Sequence, residues 1–167
     1  MRESIAALFK TLTQGVYLIG VAHGEERNAF TAAWVMQVSF DPVLLALSIN
    51  LLHSSYRLLK EGGAFSVNVL KQEQLDLAAC FGDPAREDAL SEREWTTGSL
   101  GLPVLRDGLA FFECRFLHEC PAGDHALAVG EVVNGEVLDS RAKPLSYRDT
   151  GDLDGASALF PDALKES

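Results

Sequence analysis

A polar cluster in the first third of the chain has the residue types that bind phosphate. Two apolar runs, residues 30–40 and 43–49, predict two strands joined across Asp41-Pro42. The second strand leads into the cluster, and a helix predicted over residues 56–61 follows it. Hydroxyls and backbone amides at a helix N-terminus bind anions, aided by the helix dipole, although serines there also act as plain N-caps. The cluster consists of Ser48, Asn50, His53, Ser54 and Ser55.

Small residues lie near the start of the first predicted strand. Thr31, Ala32 and Ala33 precede Trp34, and small side chains let a flat ligand come close to main-chain N–H groups, which are strong donors. Packing inside the protein is the alternative role for such residues. A flat face beside a phosphate seat is what flavin mononucleotide (FMN) requires, so the two segments together predict an FMN site.

Composition limits the classes of partner. The chain has 167 residues, which fits one domain, and 47% of them are hydrophobic, which is typical of a globular core. With 24 acidic and 14 basic residues its net charge is −10, which argues against nucleic acid and anionic membranes as partners. No apolar run reaches the roughly 18 residues of a membrane-spanning helix, and the N-terminus lacks the apolar core of a signal peptide. We therefore expect a cytoplasmic protein.

Cysteines give no sign of a disulfide framework or of a metal centre. Their number is three, which is odd, in a chain of medium size. Cys114, His118 and Cys120 lie close together in sequence, but their spacing matches no common metal site. We expect no bound metal.

Strand patterns outnumber helix patterns in the rest of the chain. A helix is predicted near residues 5–12, capped by Ser4, and a strand over 16–22. The later patterns predict a strand over residues 64–70, a helix over 72–81 and a long surface loop over 82–101. Two long strands, over 109–120 and 125–138, are joined by a turn. About six or seven strands with about three helices favour a mainly β, antiparallel barrel with a few peripheral helices. We expect one domain over residues 1–147 and a C-terminal arm or tail over 148–167.

In their order along the chain, these segments resemble the flavin reductase-like family of FMN-binding split barrels, and they are most similar to its flavoredoxin-like branch. Each piece alone is a weak signal, but the ordered set spans most of the chain. The matching pieces are Thr31-Ala32-Ala33-Trp34, Gln37-Val38-Ser39-Phe40-Asp41-Pro42, Asn50 with His53-Ser54-Ser55, Phe65-Ser66-Val67-Asn68-Val69-Leu70, Leu77-Ala78-Ala79-Cys80-Phe81-Gly82 and Gly123-Asp124-His125.

The resemblance implies a six-stranded Greek-key split barrel that forms a homodimer, with flavin near the subunit interface. It implies hydride transfer from NADH or NADPH to the flavin, with FMN favoured over FAD. It also implies roles for individual residues. Those that would line the isoalloxazine through their backbone are Thr31, Ala32, Ala33 and Trp34. Those that would hold the ribityl chain and phosphate are Asn50, Ser54 and Ser55, with Phe81 near the ring and His125 near the nicotinamide.

Three functions are open on the sequence alone. The first is an NAD(P)H:flavin oxidoreductase with His125 as a catalytic residue, which supplies reduced flavin to a monooxygenase or another redox partner. The second is a flavin-holding electron-transfer protein without a nicotinamide site, steered to basic partners by its acidic surface. The third is a split-barrel binding module. The cations nearest the site by sequence are Arg27, His53 and Arg57, and Trp95 is a candidate cover over it.

Overall fold

A seven-stranded antiparallel sheet forms the body of the protein. The computed structural model describes residues 5–86, 90 and 94–164. Its strands are β1 Tyr17–His23, β2 Glu26–Ala32, β3 Val35–Phe40, β4 Val43–Asn50, β5 Ala64–Val69, β6 Trp95–Thr97, β7 Pro103–Leu105, β8 Ala110–Ala122 and β9 His125–Val137. Seven of them form one sheet in the order β2-β1-β5-β8-β9-β4-β3, while β6 and β7 form a separate two-stranded ribbon.

Three short helices lie around the sheet. They are α1 Ile5–Phe9, α2 Ser54–Gly62 and α3 Leu75–Gly82, and three 3-10 turns follow near the C-terminus at Tyr147–Thr150, Ala156–Ala158 and Asp162–Leu164. The prediction of a mainly β, antiparallel fold with a few peripheral helices is confirmed. Within the described ranges, no helix combines the length and the hydropathy needed to cross a membrane.

Strand β1 is buried on both faces and separates two hydrophobic cores. Ile19 and Val21 point into the first core, which also contains Leu47 and Phe65 and is covered by α2. Leu18 points the other way, into a second core between the sheet, α3 and the β6–β7 ribbon. Burial of both faces explains why this strand is a continuous apolar run rather than an alternating one.

The prediction of one strand over residues 30–40 is wrong. Strand β2 ends at Ala32 and β3 begins at Val35, with the Val35 N–H donating to the Ala33 carbonyl at 3.1 Å. The two strands lie at opposite edges of the sheet. The apolar pattern runs through the break because Ala32 and Val35 pack on the first core whereas Ala33 packs on the second.

Other boundaries also differ from the sequence prediction. Helix α1 ends at Phe9 rather than near residue 12, and its predicted cap Ser4 lies outside the described residues. The segment predicted as a surface loop contains strand β6. The predicted turn at 121–124 is shorter, because Pro121 and Ala122 belong to β8. Only the Gly123-Asp124 pair connects β8 to β9, with a positive φ of 68° at Gly123.

A buried carboxylate fixes the connection between β6 and β7. Glu113 is fully buried, and its oxygens accept hydrogen bonds from both the N–H and the hydroxyl of Ser99, from the Leu100 N–H and from the Asn134 amide, at 2.6–2.9 Å. Burial by itself raises the pKa of Glu113, but the four hydrogen bonds outweigh that effect and hold the pKa below its ordinary value. The carboxylate therefore stays ionised while it ties β8 to this connection.

The segment that follows Tyr147, predicted as an arm or tail, folds back on the N-terminal helix. Tyr147 donates its hydroxyl to Asp154 at 2.7 Å, and Lys10 forms an ion pair with Asp152 at 3.7 Å. The rings of Phe9 and Phe160 stack with their centroids 5.8 Å apart. These contacts join the two ends of the described chain.

Candidate functional site

Four of the predicted site residues share one face of β3, β4 and β9. The Ser48 N–H donates to the Trp34 carbonyl at 2.9 Å, which places Trp34 opposite Ser48. Asn50 is the direct ladder partner of His125. Residues opposite each other in an antiparallel ladder, and residues two apart in one strand, point to the same face. The alternate residues, such as Leu47, are buried in the first core, so this face is on the outside of the barrel.

His125 projects onto this face with a defined orientation. Its Nδ1 lies 2.6 Å from the Asp124 carboxylate, and its ring centroid lies 5.1 Å from that of Trp34. The hydrogen bond from His125, reinforced by its charge, lowers the pKa of Asp124. Because Nδ1 is engaged by Asp124, Nε2 is the imidazole atom left for a ligand.

The N-terminus of α2 is capped by a histidine and not by a serine. His53 has extended backbone angles, and its Nδ1 accepts a hydrogen bond from the Ser55 N–H at 3.1 Å. Its carbonyl accepts another from the Tyr56 N–H at 2.9 Å. Burial lowers the pKa of His53, which favours the neutral imidazole. His53 is therefore a neutral cap here, in contrast to the predicted cation, and it occupies two amides that the sequence suggested for an anion.

The two serines of this helix have different surroundings. Ser54 is exposed, whereas Ser55 is fully buried and its hydroxyl accepts a hydrogen bond from the Asn28 amide at 2.8 Å. Asn50 uses its side-chain oxygen to accept the Leu52 N–H at 2.8 Å, which leaves its NH2 group to donate. The donors that reach the surface at this end of β4 therefore come from Ser54 and Asn50.

Thr31 and Phe81 face the second core. The Thr31 hydroxyl donates to the Ala78 carbonyl of α3 at 2.7 Å, and Phe81 is buried with its ring centroid 5.3 Å from that of Trp95. The prediction of Trp95 as a cover over the site is wrong, since this residue is buried in the same core. Its indole N–H is buried without a hydrogen-bond partner among the described residues.

The arginine that lies beside Phe81 is Arg86, and it is neither of the two arginines, Arg27 and Arg57, that the sequence suggested. Arg57 forms ion pairs with Glu26 and Glu61 at 2.5 and 2.6 Å on the exposed side of α2. Arg86 instead stacks on the Phe81 ring, 3.9 Å from its centroid. Its guanidinium also lies 3.4 Å from the Asn28 side-chain oxygen and 3.3 Å from the Ala29 carbonyl. No sequence motif indicates Arg86, because its contacts with Asn28 and Ala29 join segments more than 50 positions apart.

The predicted site is an open face and not a cavity. A cleft of about 570 Å³ lies elsewhere, and none of the predicted site residues lines it. The residues that line this cleft are Glu25, Arg27, Leu90, Trp95, Thr96, Thr97 and Arg106. Arg27, the third predicted cation, thus belongs to the cleft and not to the predicted site.

An exposed apolar stripe lies along the edge strand β3 and begins on the site face. On that face Trp34 is 46% exposed and Met36 is 58% exposed. Val38 is 43% exposed at a register shift in the strand, and Phe40 beyond the shift is 87% exposed. Several large apolar side chains exposed along one strand mark a surface that another surface covers. The stripe begins at Trp34, so any surface that covered it would also border the predicted site.

The edge strands β2 and β3 of this antiparallel barrel do not pair with each other, which makes it a split barrel. Hydrogen-bond donors lie beside an aromatic ring on its surface, and this combination suits a nucleotide-like ligand. Residues 9–154 match the family model for the flavin reductase like domain. The chain therefore belongs to the flavin reductase-like family, and the resemblance to this family seen in the sequence is confirmed, while the flavoredoxin-like branch stays a prediction.

Curated relatives and solved structures agree with this assignment. The NADH-dependent FMN reductase AsuE2 of Streptomyces nodosus subsp. asukaensis is 35% identical over 139 residues, covering 81% of this chain and 75% of that protein. The ferric-chelate reductase (NAD(P)H) of Archaeoglobus fulgidus is 32% identical over 147 residues, covering 84% and 85%. BorF, the flavin reductase component of a bacterial two-component tryptophan halogenase, superimposes with a TM-score of 0.77 at 27% identity, covering 85% of this chain and 96% of that chain.

Proposed function

We propose that this protein is an NAD(P)H-dependent flavin reductase that uses FMN. The observation that carries the proposal is the shared outer face of Trp34, Ser48, Asn50 and His125, which runs into the α2 N-terminus at Ser54. An aromatic ring, an imidazole and hydrogen-bond donors lie there in one continuous surface. The relative named an NADH-dependent FMN reductase supports the same reaction, and the relative named a ferric-chelate reductase (NAD(P)H) supports a nicotinamide donor.

The residues on this face fit a flavin. Bound flavin supplies the hydride-accepting chemistry, and the protein's part is to bind, orient and shield it. The Ser54 hydroxyl and the Asn50 NH2 group are donors, which suits a phosphate and a ribityl chain. The backbone of Thr31, Ala32 and Ala33 would line the ring.

The remaining predicted residues have supporting or catalytic roles in this proposal. Ser48 and Trp34 continue the face beside the ring, and Ser55 anchors the first turn of α2 from the buried side. Phe81 lies in the second core, on the helix α3 whose Ala78 carbonyl accepts the Thr31 hydroxyl. His125 is the proposed catalytic residue, with Nε2 turned to the nicotinamide and Nδ1 held by Asp124.

A homodimer would complete this site. The exposed stripe on β3 starts at Trp34, and a second copy lying on that stripe would enclose the open face.

We further propose that reduced flavin passes to a partner monooxygenase or related oxidising enzyme, as the halogenase system of BorF suggests. FAD in place of FMN and NADPH in place of NADH are the alternatives. A domain boundary near residue 147 and a cytoplasmic location stay predictions from the sequence.

An absorbance spectrum of the purified protein with FMN, before and after anaerobic NADH, tests the function. The flavin band should bleach at a rate set by protein concentration, and titration with protein should quench flavin fluorescence to saturation. FMN and NADH without protein are the control. An absence of saturable quenching would remove the flavin function and leave the binding-module alternative.

A flavin-holding electron-transfer protein is the second candidate. The net charge of −10 favours it, because an acidic surface steers electron carriers to basic partners. In that case the protein would retain FMN, but NADH alone would not bleach it. A chemical reductant would still do so, and this difference separates the two functions.

A further inference from the structure

His53 occupies a position at which helices usually carry serine, threonine, aspartate or asparagine. Its Nδ1 accepts the Ser55 N–H at 3.1 Å, and its own N–H donates to the Asn50 carbonyl at 3.0 Å. Its ring packs against Phe30 of β2 with the centroids 4.3 Å apart. One residue therefore connects the end of β4, the first turn of α2 and the edge strand β2.

His53 is the N-cap of α2, and Ser54 is the first residue of the helix. An N-cap side chain accepts a backbone N–H of the first turn, and here the imidazole accepts the Ser55 N–H. This hydrogen bond fixes the first turn, which carries Ser54. Ser54 is exposed, and its hydroxyl has no partner within the described part of the chain.

We propose that His53 is a positioning residue of the phosphate seat: its cap fixes the first turn of α2, and this turn holds the Ser54 hydroxyl where it binds the ligand phosphate. This inference rests on the proposed flavin function. In this proposal His53 affects ligand binding through helix α2 and Ser54, and it does not contact the ligand itself. The neutral, Nε2-protonated imidazole is the form that can accept at Nδ1, and burial of the ring favours neutrality.

Two substitutions separate capping from packing. His53→Asn keeps a capping oxygen and loses the ring, whereas His53→Phe keeps a ring against Phe30 and loses the acceptor. Fluorescence titrations with FMN and riboflavin on the full chain give the affinity for each ligand. We expect His53→Phe to weaken FMN about fivefold with riboflavin unchanged, as for loss of an N-cap. We expect His53→Asn to match the wild type for both ligands.

The outcomes against the proposal are distinct. Tighter FMN binding by His53→Phe would mean that the imidazole competes with phosphate for the Ser55 N–H. Equal loss of both ligands in the two variants would mean that the ring only packs. A wild type that binds FMN but no better than riboflavin would contradict the phosphate seat, and one that binds neither would contradict the flavin function.

A measurement without ligand tests the capping itself. The 15N chemical shifts of His53 should show the Nε2-protonated tautomer, and the Ser55 amide should exchange slowly with solvent in the wild type and in His53→Asn. Fast exchange in His53→Phe alone would agree with capping. An equally slow Ser55 amide in all three proteins would overturn the proposal.

Discussion

The rings of Trp34 and His125 lie with their centroids 5.1 Å apart and their planes inclined by 48°, although Trp34 directly precedes β3 and His125 begins β9, which is not a neighbour of β3. Strand β4 lies between β3 and β9 in the sheet. The contact therefore spans two strand spacings over the outer face. It joins the segment proposed to line the flavin to the residue proposed to meet the nicotinamide.

Replacing His125 should affect the reaction more than flavin binding. We expect His125→Ala to leave FMN affinity nearly unchanged and to lower kcat/KM for NADH about 10-fold, equivalent to roughly 1.4 kcal/mol of transition-state stabilisation. Steady-state kinetics at saturating FMN measure this, and His118→Ala, on an exposed histidine of β8, is the control. An unchanged rate in a stable, flavin-loaded variant would exclude His125 from the mechanism.

The two serines of α2 should respond differently to removal of the hydroxyl. Ser54→Ala should weaken FMN by about 1–3 kcal/mol and riboflavin hardly at all, because a hydrogen bond to a charged phosphate is lost. Ser55→Ala leaves the Asn28 amide without its acceptor, so it should lower the free energy of unfolding and affect both flavins alike. Paired flavin titrations and urea unfolding distinguish them. The reverse pattern would show that the buried hydroxyl moves to reach the ligand.

The carboxylate of Glu113 should make stability depend on acid pH. Its pKa in the folded protein is below the ordinary value of 4.5, so its contribution is complete above 4.5 and is lost as the pH falls through the folded pKa. Glu113→Gln should destabilise the protein by about 1–3 kcal/mol at neutral pH, because its NH2 group would face donors.

Urea unfolding at several pH values measures this effect. The wild type should lose more stability below pH 4.5 than Glu113→Gln does. Glu136→Gln, on an exposed residue of β9, should behave like the wild type. Parallel pH profiles for Glu113→Gln and the wild type would contradict the proposed role of the carboxylate.

A charge on the β3 stripe should prevent dimerisation. Phe40 is 87% exposed in the single chain, and burying an unpaired lysine there would be costly. Light scattering at micromolar concentration should give a dimer mass for the wild type and a monomer mass for Phe40→Lys. Leu159→Lys changes a residue that is 82% exposed but does not belong to β3, and this variant should stay dimeric. A monomeric wild type would remove the dimer from the proposal.

Local patterns predicted most strands but not the breaks between them. Alternation and apolar runs marked β1, β5, β8 and β9, because each buries at least one face. The break after Ala32 was missed because Ala32, Ala33 and Val35 are all apolar, and only the three-dimensional structure shows that they pack on different cores. Strand β6 was missed because three residues are too few for a period to be visible.

The candidate site was predicted in its parts but not in its connections. Residue types identified Asn50, Ser54 and His125, and the strand pairing brings Asn50 and His125 together. The cap at His53 was not predicted, because histidine is an uncommon N-cap. Neither Asn28 nor Arg86 was identified, since their roles depend on contacts between residues distant in sequence.

Strands β2 and β3 form the two edges of the sheet and follow each other in the chain. An edge strand presents unpaired backbone groups, which can template aggregation with other molecules. Helix α3 packs against β2, but β3 carries an apolar stripe in the open. The proposed homodimer would cover this edge, and a condition that separates the two copies without diluting them would expose it to pairing with other molecules. In that case the solubility of this protein would depend on the same strand that borders its proposed active site.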